Sequence, residues 1–94
     1  MFFYISTITV AEFLVGARDK QEIRFIRKHL DHYTVLPITA EISDVFIDLF
    51  QEYSLSHKPS IPDTLIAATA LHYELPILTL NKKDFQYFPG IRLL

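Results

Sequence analysis

Short apolar runs and helix-period segments alternate along this chain, which predicts an α/β fold with a mostly parallel sheet covered by helices. Three observations carry that expectation. Aromatic and β-branched runs recur at Phe2–Ile5, Thr34–Ile38 and Leu75–Leu80. Longer stretches between them repeat their apolar residues at helical spacing. Several of these stretches open on Ser or Thr, whose side chains accept the first unpaired N–H groups of a helix. With 94 residues, 50% of them hydrophobic, there is material for a single packed domain spanning 1–94.

Phe2 to Ile5 reads as a brief buried strand ending at Ser6, a helix cap. A helix follows from about Thr7 to Ala17, its apolar surface supplied by Ile8, Ala11, Phe13, Leu14 and Val15, with Gly16 near its end. Glu12 lies mid-helix, with Ile8 and Val15 as neighbours on its face. Such a carboxylate either turns to solvent or sits among apolar groups, where it needs a partner or a cation. Asp19 to His32 is an amphipathic helix, burying Ile23, Phe25, Ile26 and Leu30 and leaving Arg24, Arg27, Lys28 and His29 wet. Thr34 to Ile38 is a second strand, stopped at or just after Pro37. Thr39 to Ile42 then caps the longest helix, in which Ile42, Val45, Phe46, Leu49, Phe50 and Tyr53 recur at the helical period. Ser54 to Ser60 is an exposed connection.

The next helix organises the chain. Ser60 can cap it, Pro62 fits its first turn, and Asp63 stands where unpaired N–H groups and the helix dipole favour a carboxylate. Leu65, Ile66, Ala67, Ala68, Ala70 and Leu71 leave no polar stripe, so this helix is buried on most sides. Asp63 is thus either a plain helix-start residue or an acid mounted at the mouth of a rigid, dry element. Leu75 to Leu80 follows as a third strand and Asn81 to Phe85 as a polar turn or single helical turn. Pro89-Gly90 makes a further turn before Ile91 to Leu94, an edge strand.

The composition narrows the chemistry. A net charge of -2 provides no global pull on nucleic acid, so any RNA contact needs a local basic patch or a metal to offset phosphate charge. The absence of cysteine removes disulfides, thiolate metal sites and thiol nucleophiles, and fits a reducing compartment such as the cytoplasm. The apolar start Met1 to Ile5 is too short for a membrane span and lacks the basic region of a signal peptide, so no membrane partner is expected. Gly16 and Gly90 are the only glycines, too few for a phosphate-binding or dinucleotide-binding loop.

In open α/β sheets ligands gather beyond the carboxyl ends of the strands, where Asp63, Asn81 and Asp84 are expected. Glu12, more than a turn into its helix, is placed there less directly. Acids with an amide oxygen, and no paired histidines at ligand spacing, favour Mg²⁺ or Mn²⁺ over Zn²⁺. A cation there would screen phosphate and activate water. His29, His32, His57 and His72 are scattered over helix faces and a loop. Lys82 and Lys83 beside Asp84 either touch a phosphate backbone or are merely solvated. On these residues alone, Glu12, Asp63 and Asp84 could equally be unrelated surface and capping residues.

Ile5-Ser6-Thr7-Ile8-Thr9-Val10-Ala11-Glu12-Phe13 with Gly16, Pro62-Asp63 with Leu65-Ile66-Ala67-Ala68-Thr69-Ala70, and Leu78-Thr79-Leu80-Asn81-Lys82-Lys83-Asp84-Phe85 with Pro89-Gly90-Ile91 resemble the PIN domain, in particular the VapC-type toxins of bacterial toxin–antitoxin pairs. The likeness runs in order over essentially the whole chain. It implies a three-layer α/β fold and an endoribonuclease that hydrolyses RNA at an acidic Mg²⁺ or Mn²⁺ site. It also implies silencing by a small cognate antitoxin and assembly as a homodimer or higher oligomer. Carried over by motif, Glu12, Asp63 and Asp84 match the family's catalytic and metal-holding acids, while Thr79 and Asn81 match polar residues that support the site.

Members of that family begin with a strand bearing an aspartate and then a helix, and Met1 to Ile5 contains no acid in its place. The resemblance therefore leads us to expect an N-terminally truncated or split PIN domain. Its missing part would be supplied by another chain, or the fragment would be inactive and serve as a dimerisation or antitoxin-binding module.

Overall fold

A computed structural model describes residues 3–94, and the chain divides into two compact units, Met1–Pro37 and Ile38–Leu94. Met1 and Phe2, where the opening strand was expected to begin, lie outside the described residues.

The first unit runs β1 (Tyr4–Ser6), α1 (Thr7–Val15), α2 (Lys20–Leu30), β2 (Thr34–Leu36). β1 and β2 pair in parallel with Tyr4 opposite Thr34, Ile5 opposite Val35 and Ser6 opposite Leu36. Ser6 ends the strand and starts the helix, its hydroxyl accepting the Thr9 N–H at 3.0 Å. The Thr7 hydroxyl donates to the Leu36 carbonyl at 2.8 Å and ties the start of α1 to the far strand. Asp19 caps α2 by accepting the Glu22 N–H at 2.8 Å. α1 stops at Val15, short of Ala17, and Gly16 closes it in ordinary right-handed geometry at φ -75. The exposed Arg18–Glu22 ion pair at 2.9 Å lies in water and adds little to stability.

The second unit is built on α3 (Ala40–Tyr53) packed against α4 (Ile61–Tyr73). Thr39 caps α3, its hydroxyl accepting the Ile42 N–H at 3.2 Å. Ile42 and Leu49 face inward, meeting Ala67, Ala68 and Ala70 of α4 together with Ile77, Phe85 and Phe88 from the C-terminal segment. The small side chains of α4 bring its backbone close to α3. Two of its buried residues are polar, and each satisfies its hydroxyl on the preceding turn. Thr64 donates to Ser60 and Thr69 to Leu65, both at 2.8 Å.

The C-terminal segment departs from expectation. Leu75 to Leu80 and Ile91 to Leu94 were expected as strands, yet among the described residues they meet in a single parallel bridge, Ile77 with Leu93. The Ile77 N–H donates to the Arg92 carbonyl at 2.8 Å, and the Leu94 N–H to the Ile77 carbonyl at 3.0 Å. Pro76 offers no N–H to a ladder, and Leu78 and Leu80 are exposed, so Ile77 alone anchors the run in the core. A 3₁₀ turn, Lys82–Asp84, follows where a polar turn was expected. No helix among the described residues is long and apolar enough to cross a membrane.

Candidate functional site

The second unit carries two acid-bearing segments. The first is the start of α4. Ser60 takes extended backbone angles and its hydroxyl accepts the Asp63 N–H at 3.1 Å, while Pro62 occupies the first turn, where no N–H is missed. Asp63 is left half-buried, with its carboxylate in none of the ion pairs of the described residues.

The second segment is the loop after Ile77. The Thr79 hydroxyl accepts the Asn81 N–H at 3.0 Å, and the Asn81 carbonyl accepts the Asp84 N–H at 3.0 Å. Thr79 and Asn81 thus fold the backbone that presents Asp84, whose exposed side chain is followed at once by Phe85, buried in the core. Lys82 and Lys83 are exposed on the same 3₁₀ turn and form no ion pair among the described residues.

Tyr87 responds to the charge of both acids. Burial raises its hydroxyl pKa above the ordinary tyrosine value, and the negative charges of Asp63 and Asp84 and then Tyr53 raise it further. Both carboxylates therefore lie within electrostatic reach of one phenol. Tyr87 stacks on His57 with ring centroids 4.1 Å apart and planes 12° from parallel. Tyr53 meets both rings edge-on, at 5.6 Å from His57 and 5.3 Å from Tyr87.

Glu12, by contrast, belongs to the first unit. It is exposed on α1, so of the two orientations open to it the structure takes the solvent-facing one, and it enters no ion pair among the described residues.

No group of three or more His, Cys, Asp or Glu side chains among the described residues is arranged to hold a metal ion. The donors that Asp63 and Asp84 offer are nonetheless carboxylate oxygens without a competing cation. Mg²⁺ is commonly held by one or two carboxylates, with waters and substrate phosphates completing its shell. The donor chemistry of the two carboxylates fits such an ion.

Tyr87, His57 and Tyr53 were not singled out as site residues from the sequence. The available signal was the spacing of Phe85 and Phe88, two core anchors that leave Tyr87 between them at the margin of the core.

Comparison with known proteins bears on this arrangement. The PIN domain profile matches residues 2–90. A ribonuclease VapC from Rickettsia bellii is 36% identical over 99 residues, a match covering 97% of this chain and 74% of the relative. Among solved structures, a toxin–antitoxin complex from Klebsiella pneumoniae superposes with a TM-score of 0.77 at 35% identity, covering 94% of this chain and 70% of that one. The VapBC2 structure from Rickettsia felis, bound to a DNA fragment from its promoter, reaches a TM-score of 0.87 at 23% identity, a likeness of fold alone, over 99% of this chain and 74% of that one.

Proposed function

The chain belongs to the PIN domain family as a VapC-type member with an α/β PIN-like fold, and from that premise we propose that it is a metal-dependent endoribonuclease of a bacterial toxin–antitoxin pair. What supports this reading is the family match together with two acids of the second unit, Asp63 and Asp84, both free of ion pairs among the described residues and both raising the pKa of Tyr87. The relatives named as ribonucleases supply the substrate class, and RNA is the substrate we assign.

Asp63 and Asp84 are the residues that would hold Mg²⁺ or Mn²⁺. When bound, such an ion supplies Lewis-acid stabilisation of phosphate charge and an acidified water at neutral pH. Asp63 offers its carboxylate from a capped helix start, so its backbone need not reorganise when a ligand arrives. Thr79 and Asn81 hold the turn that carries Asp84. Tyr87, whose pKa is raised by burial and by both acids, offers a hydroxyl that is a donor at neutral pH. Lys82 and Lys83 are assigned to the RNA phosphate backbone. Glu12 is the acid that the family motif adds, and its part is tested separately by Glu12→Gln.

The whole of 1–94 is treated as one PIN-like domain, since the family match runs through both units. Its assigned partners are a cognate antitoxin and a second copy of the chain. Exposed Phe13 and Phe25, which line an apolar depression of about 390 Å³ on the first unit with Ile5, Ile26, Leu30 and Tyr33, favour such association. The cytoplasm is the compartment we assign to the chain, in keeping with its lack of cysteine.

The test is cleavage of RNA by the purified chain. Products should form with Mg²⁺ or Mn²⁺ and vanish with EDTA or in Asp63→Asn. Cleavage indifferent to EDTA, or undiminished in Asp63→Asn, would overturn the reading.

A further inference from the structure

An acid pair repels phosphate, and a chain of net charge -2 cannot offset this globally, so RNA affinity near Asp63 and Asp84 has to come partly from contacts that need no charge. The second unit contains such a surface. His57 lies flat on Tyr87 at 4.1 Å and 12°, whereas the other described ring pairs are tilted or edge-on. Tyr87 is itself backed by Phe88, 4.4 Å away and only 2% exposed. The imidazole is held in rotation by a 2.8 Å contact between Nδ1 and the Ser56 hydroxyl. Its backbone is held as well, because the N–H groups of His57 and Lys58 both donate to the Tyr53 carbonyl, at 2.9 and 3.2 Å, and Lys58 turns through φ 46. His57 remains exposed, with one face on Tyr87 and Tyr53 at its edge, so the opposite face is open to solvent.

We propose that the outer face of His57, fixed on Tyr87, is a stacking platform for an unpaired nucleobase of single-stranded RNA on the unit that carries Asp63 and Asp84. This rests on the ribonuclease reading for the nature of the ligand. A preformed ring loses little freedom on binding, and every base has a π face, so the platform adds affinity without a strict sequence preference. Lys58, next to the platform, offers an ammonium group to the adjoining phosphate.

The test uses a short single-stranded oligoribonucleotide, 2′-O-methylated against cleavage and carrying 2-aminopurine, titrated with the full chain in Mg²⁺. Binding should quench the fluorophore. His57→Ala should weaken binding roughly tenfold and lose the quench, with the salt dependence unchanged, and His57→Phe should restore both. His57→Leu covers Tyr87 without a π face and should behave like His57→Ala, which keeps the test decisive if the alanine variant misfolds. Native binding and quench in His57→Leu, or no recovery in His57→Phe, would overturn the platform. Cleavage of unmodified RNA is scored in parallel. A native chain that shows the His57-dependent quench but never cleaves sinks the ribonuclease reading and leaves the platform standing. One that cleaves while quench is indifferent to residue 57 does the reverse.

Discussion

The Ser60 hydroxyl accepts the backbone N–H of Asp63 at 3.1 Å, so the residue that starts α4 also sets the backbone presenting the acid. Ser60→Ala leaves that N–H without its partner and should cost about 1 kcal/mol, the usual worth of a helix cap. In a unit this small the midpoint of thermal unfolding should fall by about 4–8 °C. An unchanged midpoint would mean that solvent replaces the cap without penalty.

Tyr87 reports on the acid pair. Its folded-state pKa is raised, first by burial and then by Asp63 and Asp84. The folded chain therefore keeps a proton that the unfolded chain has lost above pH of about 10. The corresponding stability is fully present below that pH and declines as pH rises through the folded value. Asp63→Asn and Asp84→Asn should each move the Tyr87 titration downward. The check is the phenolate absorbance of each variant against the same variant carrying Tyr87→Phe, which isolates one of the five tyrosines. A Tyr87 titration indifferent to both substitutions would separate the phenol from the acids.

Much of this was legible in the sequence because the caps are local. Ser6, Thr39 and Ser60 each sit at the start of the helix their residue type predicts. The apolar run after Asp63 likewise announced a buried helix, and Ala67 and Ala68 are fully buried. The C-terminal strands were misjudged because β-propensity at Leu78 and Leu80 says nothing about whether a neighbour is present to pair with them. The ring cluster was missed for a related reason. The contact of His57 with Tyr87 joins residues 30 apart in the chain, a pairing that periodicity cannot reveal.

Glu41 sets an acid-side dependence. Its carboxyl pKa is held below the ordinary glutamate value by its own backbone N–H, then by the Thr39 hydroxyl, with a smaller contribution from the charge of His72 on α4. A depressed carboxyl contributes stability above its unfolded pKa and loses it as pH falls through the folded value. Glu41→Gln should therefore lower stability slightly at pH 8 and flatten its decline below pH of about 4.3, so that the two proteins converge in acid. Because the side chain is exposed, added salt should reduce the His72 contribution. Urea titrations across that range decide the matter, and identical acid limbs for both proteins would refute it.

Lys82 and Lys83 are exposed and without ion pairs among the described residues. If both meet phosphates of a single strand, Lys82→Ala with Lys83→Ala should weaken RNA binding and lower the slope of log affinity against log salt by about 1.4, at roughly 0.7 per phosphate contact. A weaker affinity with an unaltered slope would point to a fold defect instead.

Glu74 closes α4 in the left-handed region, at φ 56 and ψ 46, where a side chain normally costs about 1–2 kcal/mol. Its N–H donates to the Leu71 carbonyl at 3.3 Å and the Leu75 N–H to Ala70 at 2.9 Å, so the turn is held by backbone that a glycine would preserve. The Arg92 guanidinium also bonds the Glu74 carbonyl, not its side chain. Glycine relieves the Cβ conflict but lets the unfolded chain roam more widely, which offsets about 0.4–1 kcal/mol. The relief is the larger of the two, so Glu74→Gly should stabilise the chain by roughly 0.5–1 kcal/mol, seen as a higher denaturant midpoint at constant slope. A lower midpoint would show that the carboxylate makes a contribution at this position that the backbone geometry does not.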